Sequence, residues 1–246
     1  MLATGLLALW MGLTDAMLKY LKPSMRPWLV LAGALLIAVG IRGIVRARQR
    51  ERVPSDGGPA DGDGEAEHTH RQGVGWLLVL PVLVVLALGP QSLGAFAASQ
   101  SSTRNLPPYS FDIAAYANSQ GDSEPSLQLV DIYLGAQQQG NRGYLAHHAV
   151  RLRGFVTMNP DLGPRSFVLT RFLVSCCAAD ATPVKIAMID ADHIPKTGHW
   201  VEVTAQLDPH FVAPVGAQTS DLPRTTMRVH AIESIDEPSE PYEALR

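Results

Sequence analysis

The stretch HWVEVTAQLD, residues 199–208, decides the fold class of this chain. Val201, Val203, Ala205 and Leu207 fall on one side of an extended segment, and Glu202, Thr204 and Gln206 on the other. Successive side chains of a strand point to opposite faces. The pattern therefore predicts a strand with one face in a core and the other in water.

The same period recurs on either side. In AVRLRGFVTM (149–158), Val150, Leu152, Gly154 and Val156 share a face, with Arg151 and Arg153 opposite. VKIAMID (184–190) aligns Val184, Ile186 and Met188, and TTMRVHAIESI (225–235) aligns Met227, Val229 and Ala231. SFVLTRFLVSCC (166–177) is apolar on both faces, as a central strand is. Five strands separated by Pro, Gly and Asp turns predict a small closed antiparallel barrel, OB-like, with a plain sandwich as the alternative.

Upstream, PSLQLVDIYLGAQQQ (125–139) places Leu127, Val130 and Leu134 at helical spacing, widened by Ile132 and Tyr133. Gly140 and Gly143 are expected to end this amphipathic helix, which would lie on the barrel. Residues 99–125 read as an extended connector with one helical stretch near Phe111–Asn118.

The first hundred residues differ in kind. The chain is 46% hydrophobic and only 17% charged, with a slightly positive mean hydropathy of +0.06. That balance points to a membrane protein with a soluble part. Three apolar runs are expected to span a bilayer: about 2–18, 28–45 and 74–92. The first is barely long enough for a 30 Å hydrocarbon core, and a signal-peptide core is its alternative. The second has Trp28 at one end and Arg42 and Arg46 at the other. Pro81 would kink the third. Between the last two lies a low-complexity loop, 47–72, expected to be disordered. It holds Glu65, Glu67, His68 and His70, which read as a solvated linker before a metal site.

Lys/Arg asymmetry sets the expected orientation. Lys19, Lys22 and Arg26 follow the first run; Arg42, Arg46, Arg48, Arg50, Arg52 and Arg71 belong to the connection between the second and third. The richer loop belongs in the cytoplasm. Everything after Ala98 is then extracytoplasmic, in a multi-pass protein of the cell membrane. The class is α+β: membrane region 1–98, connector 99–144, OB-like barrel 145–236 and tail 237–246. Residues 99–246 carry eleven Lys/Arg against sixteen Asp/Glu. That acidity argues against nucleic acid as a partner.

The two cysteines, Cys176 and Cys177, are adjacent. They admit three readings. They can pack as small apolar groups where the chain leaves the sheet. They can ligate zinc or another soft metal or metalloid, with Asp180 or one of His147, His148, His193 and His199 as a further ligand, although no CxxC or HxxxH spacing is present. They can be redox-active, although neighbouring cysteines form only a strained disulfide. Arg171, on the apolar strand, calls for a paired acid, Asp180 or Asp190, unless it reaches water at a barrel rim. Trp200 could stack a ligand or simply pack under the amphipathic helix. No Ser-His-Asp spacing, phosphate-binding loop or paired carboxylates occur, so nothing supports an enzyme.

The combination RLRGFV, FVLTRFLVSCCAADATPV and HWVEVTAQL resembles the bacterial DUF1980 family, over most of the chain. The TRF…CCAADA.PV stretch is the most specific part. The family pattern has Gly where Ala205 stands. The resemblance implies a permease subunit, working with a separate multi-span permease of the DUF318 type. The expected function is an accessory permease subunit whose outer domain presents or senses a metal; a redox thiol protein and an assembly module with inert buried cysteines are the alternatives.

Overall fold

Burial follows the alternation in the sequence. Within Trp200–Leu207 every second residue, from Val201 to Leu207, is buried, and the residues between are partly exposed. The computed structural model describes residues 2–51, 92–101, 106, 110–212 and 222–245. It divides into two compact units, Met1–Gln91 and Ser92–Arg246.

In the second unit, five long strands occupy the predicted stretches. They are β2 (Val150–Thr157), β3 (Phe167–Leu173), β4 (Thr182–Ile189), β5 (Trp200–Leu207) and β6 (Thr226–Ser234). Two-residue strands, β1 (Ser126–Leu127) and β7 (Tyr242–Glu243), add parallel to β2 and β3. The order is β1-β2-β5-β6-β4-β3-β7, and a further β2–β3 pairing closes the five long strands into a barrel. A closed barrel, and not a sandwich, therefore forms. One pairing departs from the antiparallel expectation: β4 and β6 run parallel.

Closure depends on Gly154. Strand β2 pairs with β5 over Val150–Phe155 and with β3 over Phe155–Thr157. At the changeover, a Cβ on Gly154 would sit 2.8 Å from the Thr170 carbonyl oxygen. Only glycine lets the two backbones approach this closely.

The interior is filled by Val150, Leu152 and Val156 of β2, Phe167 and Leu169 of β3, Val184, Ile186 and Met188 of β4, and the inward residues of β5. Each such side chain, fully buried, contributes about 1.5–3 kcal/mol. Met227 and Val229 join them from β6, but Ala231 is exposed and Ile232 packs inward instead. The cause is a bulge. Thr204 faces Ala231 and Ala205 faces Val229, so His230 is the extra residue and the inward parity shifts by one. Ala205, where the DUF1980 pattern has Gly, sits at this irregularity.

Strand β3 is apolar on both faces because both are covered. Its outer Phe172 packs with Phe155 and Ala98, the last from α3 (Ala95–Gln100). Outer Val168 packs with Leu162 and Ala187, with Phe211 and Leu222 against them. The predicted 125–139 helix is shorter: α5 spans Leu129–Gly135, and its Leu129, Val130, Ile132 and Tyr133 join the barrel core. Gly140 and Gly143 do not end a helix. They lie inside α6 (Gln139–His147), where a Cβ at either would meet nothing within 4 Å. The stretch near Phe111–Asn118 forms α4, Ile113–Gln120, capped by Asp112, whose Oδ1 accepts from the Ala115 N–H at 2.9 Å.

In the first unit, α1 (Leu2–Leu13) is followed by a 3-10 turn, Asp15–Lys19, and α2 runs over Arg26–Glu51. Glycines let the helices pack at close range: a Cβ on Gly33 would lie 2.9 Å from the Leu9 amide nitrogen, and one on Gly5 would lie 3.0 Å from the Gly33 carbonyl. Arg26 and Asp15 pair across the turn at 2.8 Å. Pro23–Arg46 is long and apolar enough to cross a membrane. It coincides in length and composition with the second expected span; a signal sequence passes the same test. The first expected span is not one helix of that length: α1 has 12 residues, about 18 Å. The third span, Pro81 and the 52–72 part of the loop with His68 and His70 lie outside the described residues.

Candidate functional site

Strand β3 ends at Leu173, before the cysteines. Had it run on, the two thiols would point to opposite faces. The chain turns instead through Ser175, and the carboxylate of Asp180 organises the turn. Its Oδ1 accepts the Ser175 N–H at 2.8 Å, and its Oδ2 accepts the Cys176 N–H at 2.8 Å and the Cys177 N–H at 3.3 Å. Cys177 caps a 3-10 turn, Ala178–Asp180. The result swings both thiols to one side. Cys176 Sγ lies 3.7 Å from Cys177 Sγ and 2.9 Å from Asp180 Oδ2. One ligand atom from each of the three residues lies within 4.8 Å of the others, and Cys176, Cys177 and Asp180 are the candidate metal group among the described residues.

Cys176 is exposed and Cys177 half-buried. The expectation that the pair packs as buried apolar groups is therefore not met. The small residues of the loop serve its tight turn and do not enclose the sulfurs. The Cys176 thiol donates to Asp180, and that bond, with the contact to Cys177, pushes its pKa up to about 11. Partial burial pushes the Asp180 carboxyl up, but hydrogen bonds from Cys176, Ser175 and Cys177 outweigh it and hold the carboxyl below its ordinary value. At neutral pH the pair is thus a protonated thiol beside an ionised carboxylate. A redox or nucleophilic cysteine needs the opposite arrangement, a thiolate favoured by nearby positive charge.

None of the four histidines considered beside the cysteines belongs to the group. His148 stacks on Tyr144, with centroids 4.2 Å apart, and its Nδ1 lies 3.0 Å from the Tyr144 carbonyl. His147 and His193 are exposed, and the His199 backbone carbonyl accepts the Val156 N–H.

Arg171 does have a paired acid, but neither of the expected ones. Asp180 holds the cysteine turn, and Asp190 pairs with Arg228 at 3.3 Å. The partner is Glu243 of β7, 3.9 Å away with its side chain wholly buried. Arg171 also donates to the carbonyls of Pro241, at 3.1 Å, and Glu240, at 2.5 Å, and its guanidinium lies 5.7 Å from the centre of the Trp200 ring. The Glu243 carboxylate accepts the N–H groups of Leu129 (2.7 Å) and Val130 (2.9 Å), capping the start of α5. Burial raises its pKa to about 6, and Arg171 limits the rise. Burial likewise lowers the pKa of Arg171. Sequence reasoning missed Glu243, which fell in the tail; the thin signal was its bracketing by Tyr242 and Leu245. Trp200 packs edge-on against Phe155, with centroids 5.6 Å apart, and does not lie under α5.

This barrel, with its turn of two cysteines and a tail clamped to β3, coincides with a known domain. Residues 138–243 match the DUF1980 C-terminal domain. That region is similar to the family whose pattern the sequence resembles. The match begins at the start of α6 and ends at Glu243, so the DUF1980 C-terminal domain includes the buried clamp as well as the five strands. No curated protein matches the chain. A crystal structure described as an aspartyl-tRNA synthetase from Leishmania major Friedlin is similar over 48% of this chain and 22% of its own, at 12% identity and a TM-score of 0.27. That likeness carries no argument.

Proposed function

We propose that the chain is a membrane-anchored accessory subunit of a permease, and that its DUF1980 C-terminal domain binds a soft metal ion, such as zinc, through Cys176, Cys177 and Asp180. The anchor is the helix pair of the first unit, with α2 crossing the bilayer, α1 beside it and a further span downstream. The barrel is OB-like, on the strand order it adopts, and extracytoplasmic, on the Lys/Arg asymmetry. It acts as a binding module and not as an enzyme.

The observation that carries the metal reading is the spacing of the donors. Two thiolates on a tetrahedral zinc, each at about 2.3 Å, stand about 3.8 Å apart. The two sulfurs already lie 3.7 Å apart. The Cys176 sulfur and the Asp180 oxygen are 2.9 Å apart and must open to about 3.6 Å to share a tetrahedral ion. The proton between them is one of two that a metal displaces, the other coming from the Cys177 thiol, as metal binding to thiols requires. The permease partner rests on the family alone.

The test uses the full-length protein in detergent. Zinc content by mass spectrometry is measured for the wild type, Cys176→Ser and Cys177→Ser. One zinc per chain, lost in both variants, is the expected result. Absence of metal from folded wild-type protein after zinc loading overturns the metal reading. Failure of a DUF318-type permease to co-purify overturns the subunit reading separately.

A further inference from the structure

The three donors come from five consecutive residues, 176–180, in one turn. A ligand set drawn from a single short turn approaches a metal from one side. The carboxylate has little freedom to swing round, because three backbone N–H groups hold it. Among the described residues no fourth Cys, His, Asp or Glu joins the group. Cys176 faces solvent. Structural zinc sites are closed by four protein ligands, whereas catalytic sites use three and keep the fourth position open to water or substrate.

Resting on the metal reading above, we propose that this is an exchange site. The ion is held by Cys176, Cys177 and Asp180 on its inner side, and its outward position is completed by one thiolate or imidazole from a molecule that delivers or removes the metal. Soft and borderline ions select those donors. A three-donor site open to solvent can accept an incoming ligand before releasing its own, so the ion passes between proteins without entering water as a free ion. The partner that fits this surface is therefore a metal carrier presenting a single Cys or His.

The experiment loads the full-length protein with Co2+, whose thiolate charge-transfer absorption reports sulfur ligation and whose visible bands report the coordination shell. The expected result is one cobalt per chain, a near-ultraviolet band lost in Cys176→Ser, and a saturable change in the visible bands as imidazole is titrated to one equivalent bound. A chelator should strip the ion within seconds. If sulfur ligation is seen but the visible bands ignore imidazole, or one ion is shared by two chains, the exchange site is refuted while the metal reading stands. If no charge-transfer band forms in folded wild-type protein, the metal reading itself fails.

Discussion

Replacing Arg171 by Met should destabilise the barrel far more at pH 8 than at pH 5. The Glu243 carboxyl is fully buried and titrates at about 6 with Arg171 beside it. A buried glutamate without a compensating cation titrates at about 8–9. Taking about 9 for the Arg171→Met variant, the wild type loses its proton roughly three pH units earlier. At pH 8 that difference costs the variant about 3 kcal/mol, and at pH 5, where Glu243 is protonated in both proteins, almost nothing. Loss of the carbonyl bonds from Arg171 and of its packing on Trp200 adds a roughly pH-independent cost. Urea unfolding of the full-length protein in detergent, followed by circular dichroism at both pH values, gives the two differences. Adding Glu243→Gln should abolish the pH dependence. A penalty equal within about 1 kcal/mol at pH 5 and pH 8 would refute the ion-pair argument.

Glu243 also sets the pH response of the wild type. Its folded pKa, about 6, exceeds the ordinary value of 4.5. The native state therefore binds more protons than the unfolded state between those values, and this group's contribution to stability falls as pH rises through that window, by about 2 kcal/mol in all; Glu243→Gln should flatten this part of the stability–pH curve. Asp180→Ala in a Cys177→Ser background should bring the Cys176 thiol down toward its ordinary range, because its bond to Asp180 is the largest cause of the raised pKa, and should speed alkylation by iodoacetamide at pH 8 by about 10-fold or more over Cys177→Ser alone; an unchanged rate would sink the proposed thiol–carboxylate bond. Gly154→Ala should cost about 1–3 kcal/mol through its contact with the Thr170 carbonyl, whereas Gly143→Ala, in open space on α6, should stabilise by about 1 kcal/mol; chemical unfolding distinguishes the two. Ile186→Ala should cost about 2–5 kcal/mol from the barrel interior.

The strands were legible because their pattern is local. Val201 to Leu207 declare their face within eight residues, and so do Val150 to Val156. What escaped depends on pairing between distant segments. The shift at Ala231 cannot be seen in β6 alone, since it arises from the bulge where His230 is left unpaired opposite β5. Helix α6 was hidden by Gly140 and Gly143, whose low helix propensity is overridden where Leu145 and Asn141 are buried. The cysteine turn was half legible. Adjacent thiols at a strand end suggested a tight place, but only the Asp180 side chain, bonded back to three amides, brings both sulfurs to one side. Glu243 was least legible, because nothing in a short tail announces that it will serve a helix more than a hundred residues upstream.

That last separation bears on how the chain is made. Glu243 lies 114 residues after Leu129, whose amide it receives, and Tyr242 lies 149 residues after Leu93, whose amide its hydroxyl accepts. A ribosome delivers the α5 segment long before the carboxylate that caps it. Until then the helix start lacks an acceptor, and one edge of β3 is open. The domain can collapse early, but it cannot reach its final stability before residue 243 has been released. A chain cut short of Glu240 would keep all five long strands yet expose an arginine stripped of its partners and a bare strand edge, features that invite proteolysis and edge-to-edge association.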